Sequence, residues 1–78
     1  MVKLILLGTS ACHLCEEAEL IMATCKNVEI EMIDIAEQEQ WQEKYAIRIP
    51  VLYHAETGKE LGWPFDLQQS QDFIDSLN

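Results

Sequence analysis

The most constraining feature of this chain is a junction. An apolar run stops at a glycine, and a cysteine pair at a helix start follows four residues later. Val2 to Leu7 reads V-K-L-I-L-L and is ended by Gly8. The run is far short of the roughly 20 residues that span a bilayer. It shows almost no polar alternation, which predicts a strand covered on both faces. Gly8-Thr9-Ser10-Ala11 predicts a turn, and from Cys12 to about Cys25 the apolar period becomes helical. Leu14, Ala18, Ile21 and Cys25 fall on one predicted helix face.

The remaining elements follow by the same rules. Val28 to Asp34 alternates apolar and acidic residues, as expected of a strand at a sheet edge. Asp34 with Glu37 resembles a capping box before a short helix carrying Trp41 and Tyr45 at i, i+4. Ile49 to Tyr53 predicts a third strand with Pro50 near its start, where proline is tolerated. Glu56-Thr57-Gly58-Lys59 predicts a hairpin turn into a strand at Lys59 to Trp63. Asp66 then caps a last helix whose apolar positions are Leu67, Phe73, Ile74 and Leu77. The order β-α-β-α-β-β-α, in a chain of 78 residues, implies one α/β domain over residues 1–78. Its first two strands are expected to be parallel and its last two antiparallel, in one four-stranded mixed sheet with helices on both faces.

Cysteines three residues apart at a helix start lie on one side of the first turn, where their sulfurs can join with little backbone movement. The unpaired N–H groups and positive dipole end there favour a thiolate at Cys12, with Cys15 shielded deeper in the helix. Cys12 would attack a disulfide and Cys15 would resolve the mixed disulfide. The pair could instead supply half a metal site. Within one chain the other candidates are Cys25, His13 and His54. Cys25 is expected in the core, His13 is poorly aimed and His54 is expected at the surface, so no closed metal site is expected. A cluster shared between two chains stays open.

Charge narrows the partners. Five Lys+Arg against fourteen Asp+Glu give a formal net charge of −9. Five scattered cations cannot form the basic stripe of a nucleic-acid site, and the same balance opposes docking on anionic lipid. The first residues lack the pattern of a signal peptide. Closely spaced cysteines then fit a reducing compartment, so the expected location is the cytoplasm.

A Cys-x-x-Cys directly after a buried strand is a thioredoxin-like signal. With Cys12-His13-Leu14-Cys15, Ile49-Pro50 before the third strand and Trp63-Pro64-Phe65-Asp66 after the hairpin, the chain resembles the glutaredoxin-like proteins of the thioredoxin superfamily. It is most similar to small bacterial members with C-x-L-C and W-P-F-D segments. The resemblance covers essentially the whole chain. It implies a thioredoxin-like, glutaredoxin-type fold and a cis Ile49–Pro50 bond beside the cysteine motif. It also implies that an extended substrate pairs with Ile49, and that the activity is thiol–disulfide exchange. No cofactor is expected to be bound permanently, and reducing equivalents are expected from a reductase or from glutathione as a possible co-substrate. The expected partner of a monomer is glutathione or a disulfide-bearing protein. The alternative is a thioredoxin-fold binding module for a protein partner, or an inter-subunit iron–sulfur cluster, with little oxidoreductase activity.

Against the family pattern, His13-Leu14 replaces Pro-Tyr. Gly8 to Ala11 lacks the usual lysine before the motif, and Arg48-Ile49-Pro50 stands for T-V-P. Gly62-Trp63-Pro64-Phe65-Asp66 stands for the Gly-Gly…Asp segment that receives glutathione. Arg48 is therefore read either as a carboxylate partner replacing that lysine or as half of a surface ion pair. His13 either stabilises the Cys12 thiolate or is simply exposed. Trp63 and Phe65 either line a thiol-ligand groove or pack the hairpin on the last helix. Asp66 either meets a ligand amine or only caps its helix.

Overall fold

A computed structural model describes residues 1–77. Strand β1 is Val2–Gly8, helix α1 His13–Thr24 and strand β2 Val28–Asp34. A 3₁₀ turn at Ile35–Glu37 leads to α2 at Glu39–Tyr45. Strands β3 at Val51–His54 and β4 at Lys59–Gly62 and helix α3 at Leu67–Ser76 complete the chain. The sheet order is β2-β1-β3-β4, with β1 parallel to β2 and antiparallel to β3, and β3 antiparallel to β4. This is the mixed α/β architecture that the sequence implies. No helix among the described residues is long and apolar enough to cross a membrane.

The unbroken apolar character of β1 has a direct cause. It is a central strand with a core on each side. Val2, Leu4 and Leu6 join Leu52 of β3 under α1 and α3, packing with Ala18, Met22, Phe65 and Ile74. Leu7 joins Val51 beneath α2 and the 3₁₀ turn, packing with Ile35 and Tyr45. Trp41 lies 5.7 Å from the Tyr45 ring and 5.6 Å from Tyr53, so the second core is aromatic along its outer edge.

Local readings need correction at four places. The buried stripe of α1 is Cys15, Ala18 and Met22, so Leu14 is exposed while Ile21 and Cys25 pack only partly against the core. Asp34 caps the 3₁₀ turn by accepting from Ala36 N at 2.9 Å, without the reciprocal bond of a capping box. Leu67 is exposed, and Ser70 takes a buried place on α3. His54, expected at the surface, is buried and its Nδ1 lies 2.7 Å from Thr57 Oγ1 across the hairpin turn. Gly58 completes that turn at φ +75°, a conformation glycine adopts without strain.

At the other end of the hairpin, Asp66 Oδ1 accepts from Gln69 N at 2.8 Å and Gln69 Oε1 accepts from Asp66 N at 3.0 Å. This reciprocal pair starts α3. Asp66→Ala should therefore cost about 1 kcal/mol, lowering Tm by roughly 4–8 °C in a domain of this size. Thermal unfolding by circular dichroism measures it, and an unchanged Tm would deny Asp66 its capping role.

Candidate functional site

The turn after β1 delivers Cys12 to the N-cap of α1, with Ala11 in the left-handed region at φ 57°. Cys12 Sγ accepts from Cys15 N at 3.2 Å. Cys12 and Cys15 are joined as a disulfide, with Cα atoms 5.2 Å apart, inside the span that one bridge closes. The two sulfurs differ in access. Cys12 is half-buried, whereas Cys15 is only 5% exposed.

Gly8 makes the buried seat of Cys15 available. A Cβ at position 8 would stand 3.0 Å from Cys15 Sγ and 3.3 Å from its Cβ. The sequence suggests a strand terminator at Gly8. The structure adds a second demand, that the last residue of β1 have no side chain where the helix lays a sulfur against it. A cleft of about 310 Å³ opens on this side, lined by Gly8, Thr9, Ser10, Cys15, Met32 and Asp34 among others. The Asp34 carboxyl is held below its ordinary value by the Ala36 N–H, with the Thr9 hydroxyl and Ser10 N–H adding to it.

The proline loop reaches the same end of the sheet. Leu7 pairs with Val51, and continuing that antiparallel register sets Pro50 level with Gly8. The Ile49–Pro50 bond is cis, as is Trp63–Pro64. Pro50 is buried, Ile49 is half-buried, and Pro50 O accepts from Trp63 N at 3.2 Å. Trp63 meets Phe65 edge-on at 5.0 Å and packs against the first core, which realises the packing alternative for this pair.

The polar candidates are largely occupied. Arg48 Nη2 donates to Glu60 Oε1 at 2.6 Å. Tyr45, fully buried, donates its hydroxyl to the other Glu60 oxygen. Burial, followed by the Glu60 contact, pushes the Tyr45 hydroxyl up to about 12. The Tyr45 hydrogen bond, then that of Arg48, holds the Glu60 carboxyl below its ordinary value. The Arg48 guanidinium also lies 5.1 Å over the Tyr45 ring. Of Arg48's two readings, the ion pair is the one formed. His13 is exposed, with its ring nitrogens 3.8 Å from Glu16 and 4.0 Å from Glu17. Cys25 Sγ donates to Ile21 O at 3.5 Å, and burial pushes its pKa up. Among the described residues no group of three or more His, Cys, Asp or Glu side chains is arranged to hold a metal ion.

The structure thus brings Cys12, Cys15, Ile49, Pro50 and Trp63 to one end of the sheet. Arg48 and Asp66 each engage one side-chain polar atom within the fold, at Glu60 and Gln69. The sequence reading missed Gly8's steric role and the Tyr45–Glu60–Arg48 network, which joins groups 15 and 12 residues apart and leaves no local pattern.

Residues 3–75 match the family described as Glutaredoxin-like domain (DUF836). Among solved structures, the X-ray structure of the XcR50 protein from X. campestris is 30% identical, with a TM-score of 0.85 over 94% of this chain and 96% of that one. The solution structure of the same protein gives 30% identity and a TM-score of 0.82, covering 97% of this chain and 95% of that one. Protein Ne2328 from Nitrosomonas europaea is also 30% identical, with a TM-score of 0.69 over 92% of this chain and 89% of that one. No curated protein matches.

The site makes two results predictable. Gly8→Ala should destabilise the oxidised protein by about 1–3 kcal/mol, the usual range for overpacking. Measured by urea unfolding, Gly8→Ala should cost much less in a Cys15→Ala background, itself weakened by loss of the disulfide, and an equal cost in both backgrounds would refute the steric cause. Glu60 faces Tyr45 and Lys44 of α2 and Arg48 of the following loop. Its folded pKa is depressed, so its stabilisation is full above the unfolded value and is lost as pH falls through the folded one. The stability gap between wild type and Glu60→Gln should therefore narrow below about pH 4.3, the ordinary glutamate value. A gap that stays constant down to acid unfolding would contradict the assignment.

Proposed function

The chain belongs to the glutaredoxin-like domain family, and from that premise we propose that it is a small thiol–disulfide oxidoreductase. In its reduced form the Cys12 thiolate attacks one sulfur of a substrate disulfide. A mixed disulfide forms and the other substrate sulfur leaves as a thiolate, which takes a proton. The Cys15 thiolate then attacks Cys12 Sγ and expels the second substrate sulfur. Two electrons have passed to the substrate, and the protein carries the Cys12–Cys15 disulfide. A low-molecular-weight thiol such as glutathione, or a dithiol reductase, returns it to the dithiol.

The observation that carries this proposal is the asymmetry of the bridged pair. Cys12 is the more accessible sulfur, at the N-cap of α1, and Cys15 is buried against Gly8. A helix N-terminus favours a thiolate at the first position. Burial protects the second from outside thiols, and its place three residues on keeps it beside its target. Ile49 and Pro50 supply the edge along which an extended substrate pairs, and Trp63 flanks it. His13 lies at the rim of the motif. Arg48, paired with Glu60, and Asp66, capping α3, each keep further polar atoms that could meet a substrate's charged ends.

In a disulfide-reduction assay, Cys12→Ser should abolish turnover, while Cys25→Ser retains most of it. Cys15→Ser should accumulate the mixed disulfide, visible by intact mass. Equal rates in the Cys12→Ser and Cys25→Ser proteins would overturn the assignment and favour a thiol-independent binding module.

A further inference from the structure

We infer that Tyr45, Glu60 and Arg48 are positioning residues that hold the Ile49–Pro50 loop in register for an extended substrate. The inference rests on the substrate-pairing role proposed for that loop. The loop joins α2 to β3, and Glu60 on β4 grips it from outside. One Glu60 oxygen takes the Tyr45 hydroxyl at the last residue of α2, and the other takes the Arg48 guanidinium at 2.6 Å. The backbone repeats the pattern. Tyr45 O accepts from Arg48 N at 2.8 Å and from Ile49 N at 3.2 Å, and Pro50 O accepts from Trp63 N at 3.2 Å. The segment from Tyr45 to Pro50 is thus fastened at its start, middle and end to its own helix or to the β4 side of the hairpin.

The chemistry suits a fastener. A buried tyrosine hydroxyl needs a partner, and hydrogen bonds to an ionised carboxylate are about twice as strong as neutral ones. The guanidinium stacked over the Tyr45 ring closes the triangle, and Lys44 lies 5.4 Å from the ring centroid. None of these groups is at the sulfurs, so loosening the network should disturb substrate pairing and leave the thiol chemistry alone. Ile47, almost fully exposed within the same segment, shows that the loop is not held by apolar burial along its whole length.

The test compares wild type with Glu60→Gln, Tyr45→Phe and Arg48→Gln, using two oxidants. One is an extended peptide containing an intermolecular disulfide. The other is bis(2-hydroxyethyl) disulfide, too small to pair with a backbone edge. For Glu60→Gln and Tyr45→Phe, KM for the peptide should rise about tenfold, well inside the hundredfold that an ångström of misplacement can cause. The small disulfide should react at an unchanged rate, and the Ile49 and Trp63 amides should exchange hydrogen faster. Arg48→Gln, altering an exposed side chain, should show the same pattern more weakly and supplies the reading if the other two do not fold. Equal loss on both oxidants, or no change on the peptide, would overturn the inference. Failure of wild type to reduce either oxidant would instead overturn the proposed activity.

Discussion

Everything at the candidate site depends on β1 being buried on both faces. That condition demands an apolar run without alternation, and Leu4, Leu6 and Leu7 are among the least accessible side chains. It also requires helices on each side, because a strand with one bare face would lose half of its burial. Once α1 packs on one face through Ala18 and Met22, its first turn must stand over the end of β1. Gly8 is where they meet, and its missing side chain is what allows Cys15 Sγ to settle there.

The same strand organises the other half of the site. Its antiparallel pairing with β3 brings Pro50 level with Gly8, so the cysteine turn that leaves β1 and the proline loop that enters β3 meet at one end of the sheet. Polar groups around this end are mostly satisfied within the fold. Glu60 takes Tyr45 and Arg48, and Asp66 takes the first turn of α3. The cleft beside Cys15 keeps polar groups of its own at Thr9, Ser10 and Asp34, and Glu16 and Glu17 lie close to His13.

Much of this was legible in the sequence because the decisive signals are local. The run V-K-L-I-L-L ending at Gly8, the Cys-x-x-Cys spacing, Ile49-Pro50 and the Asp66–Gln69 cap each lie within a few residues, and each appears where expected. Errors arose where apolar residues occur on more than one helical face. On α1, Leu14, Ile21 and Cys25 compete with Cys15, Ala18 and Met22, and packing against β1 selects the second set. His54 is buried because a hydrogen bond to Thr57 satisfies it, which no periodicity reveals. The Tyr45–Glu60–Arg48 network joins an α2 tyrosine and a loop arginine to a β4 glutamate, so only the tertiary fold makes it visible.

The central claim is that Cys12 and Cys15 form a reversible two-electron couple while Cys25 stays outside it. It is tested most directly by equilibrating the protein across defined ratios of reduced to oxidised glutathione, quenching with a thiol alkylator, and reading intact and peptide masses. The expected result is one sigmoidal conversion of the dithiol to a Cys12–Cys15 disulfide, with Cys25 alkylated at every ratio. A stable glutathione adduct on Cys12 with Cys15 still free, or a motif that remains fully reduced throughout, would contradict it.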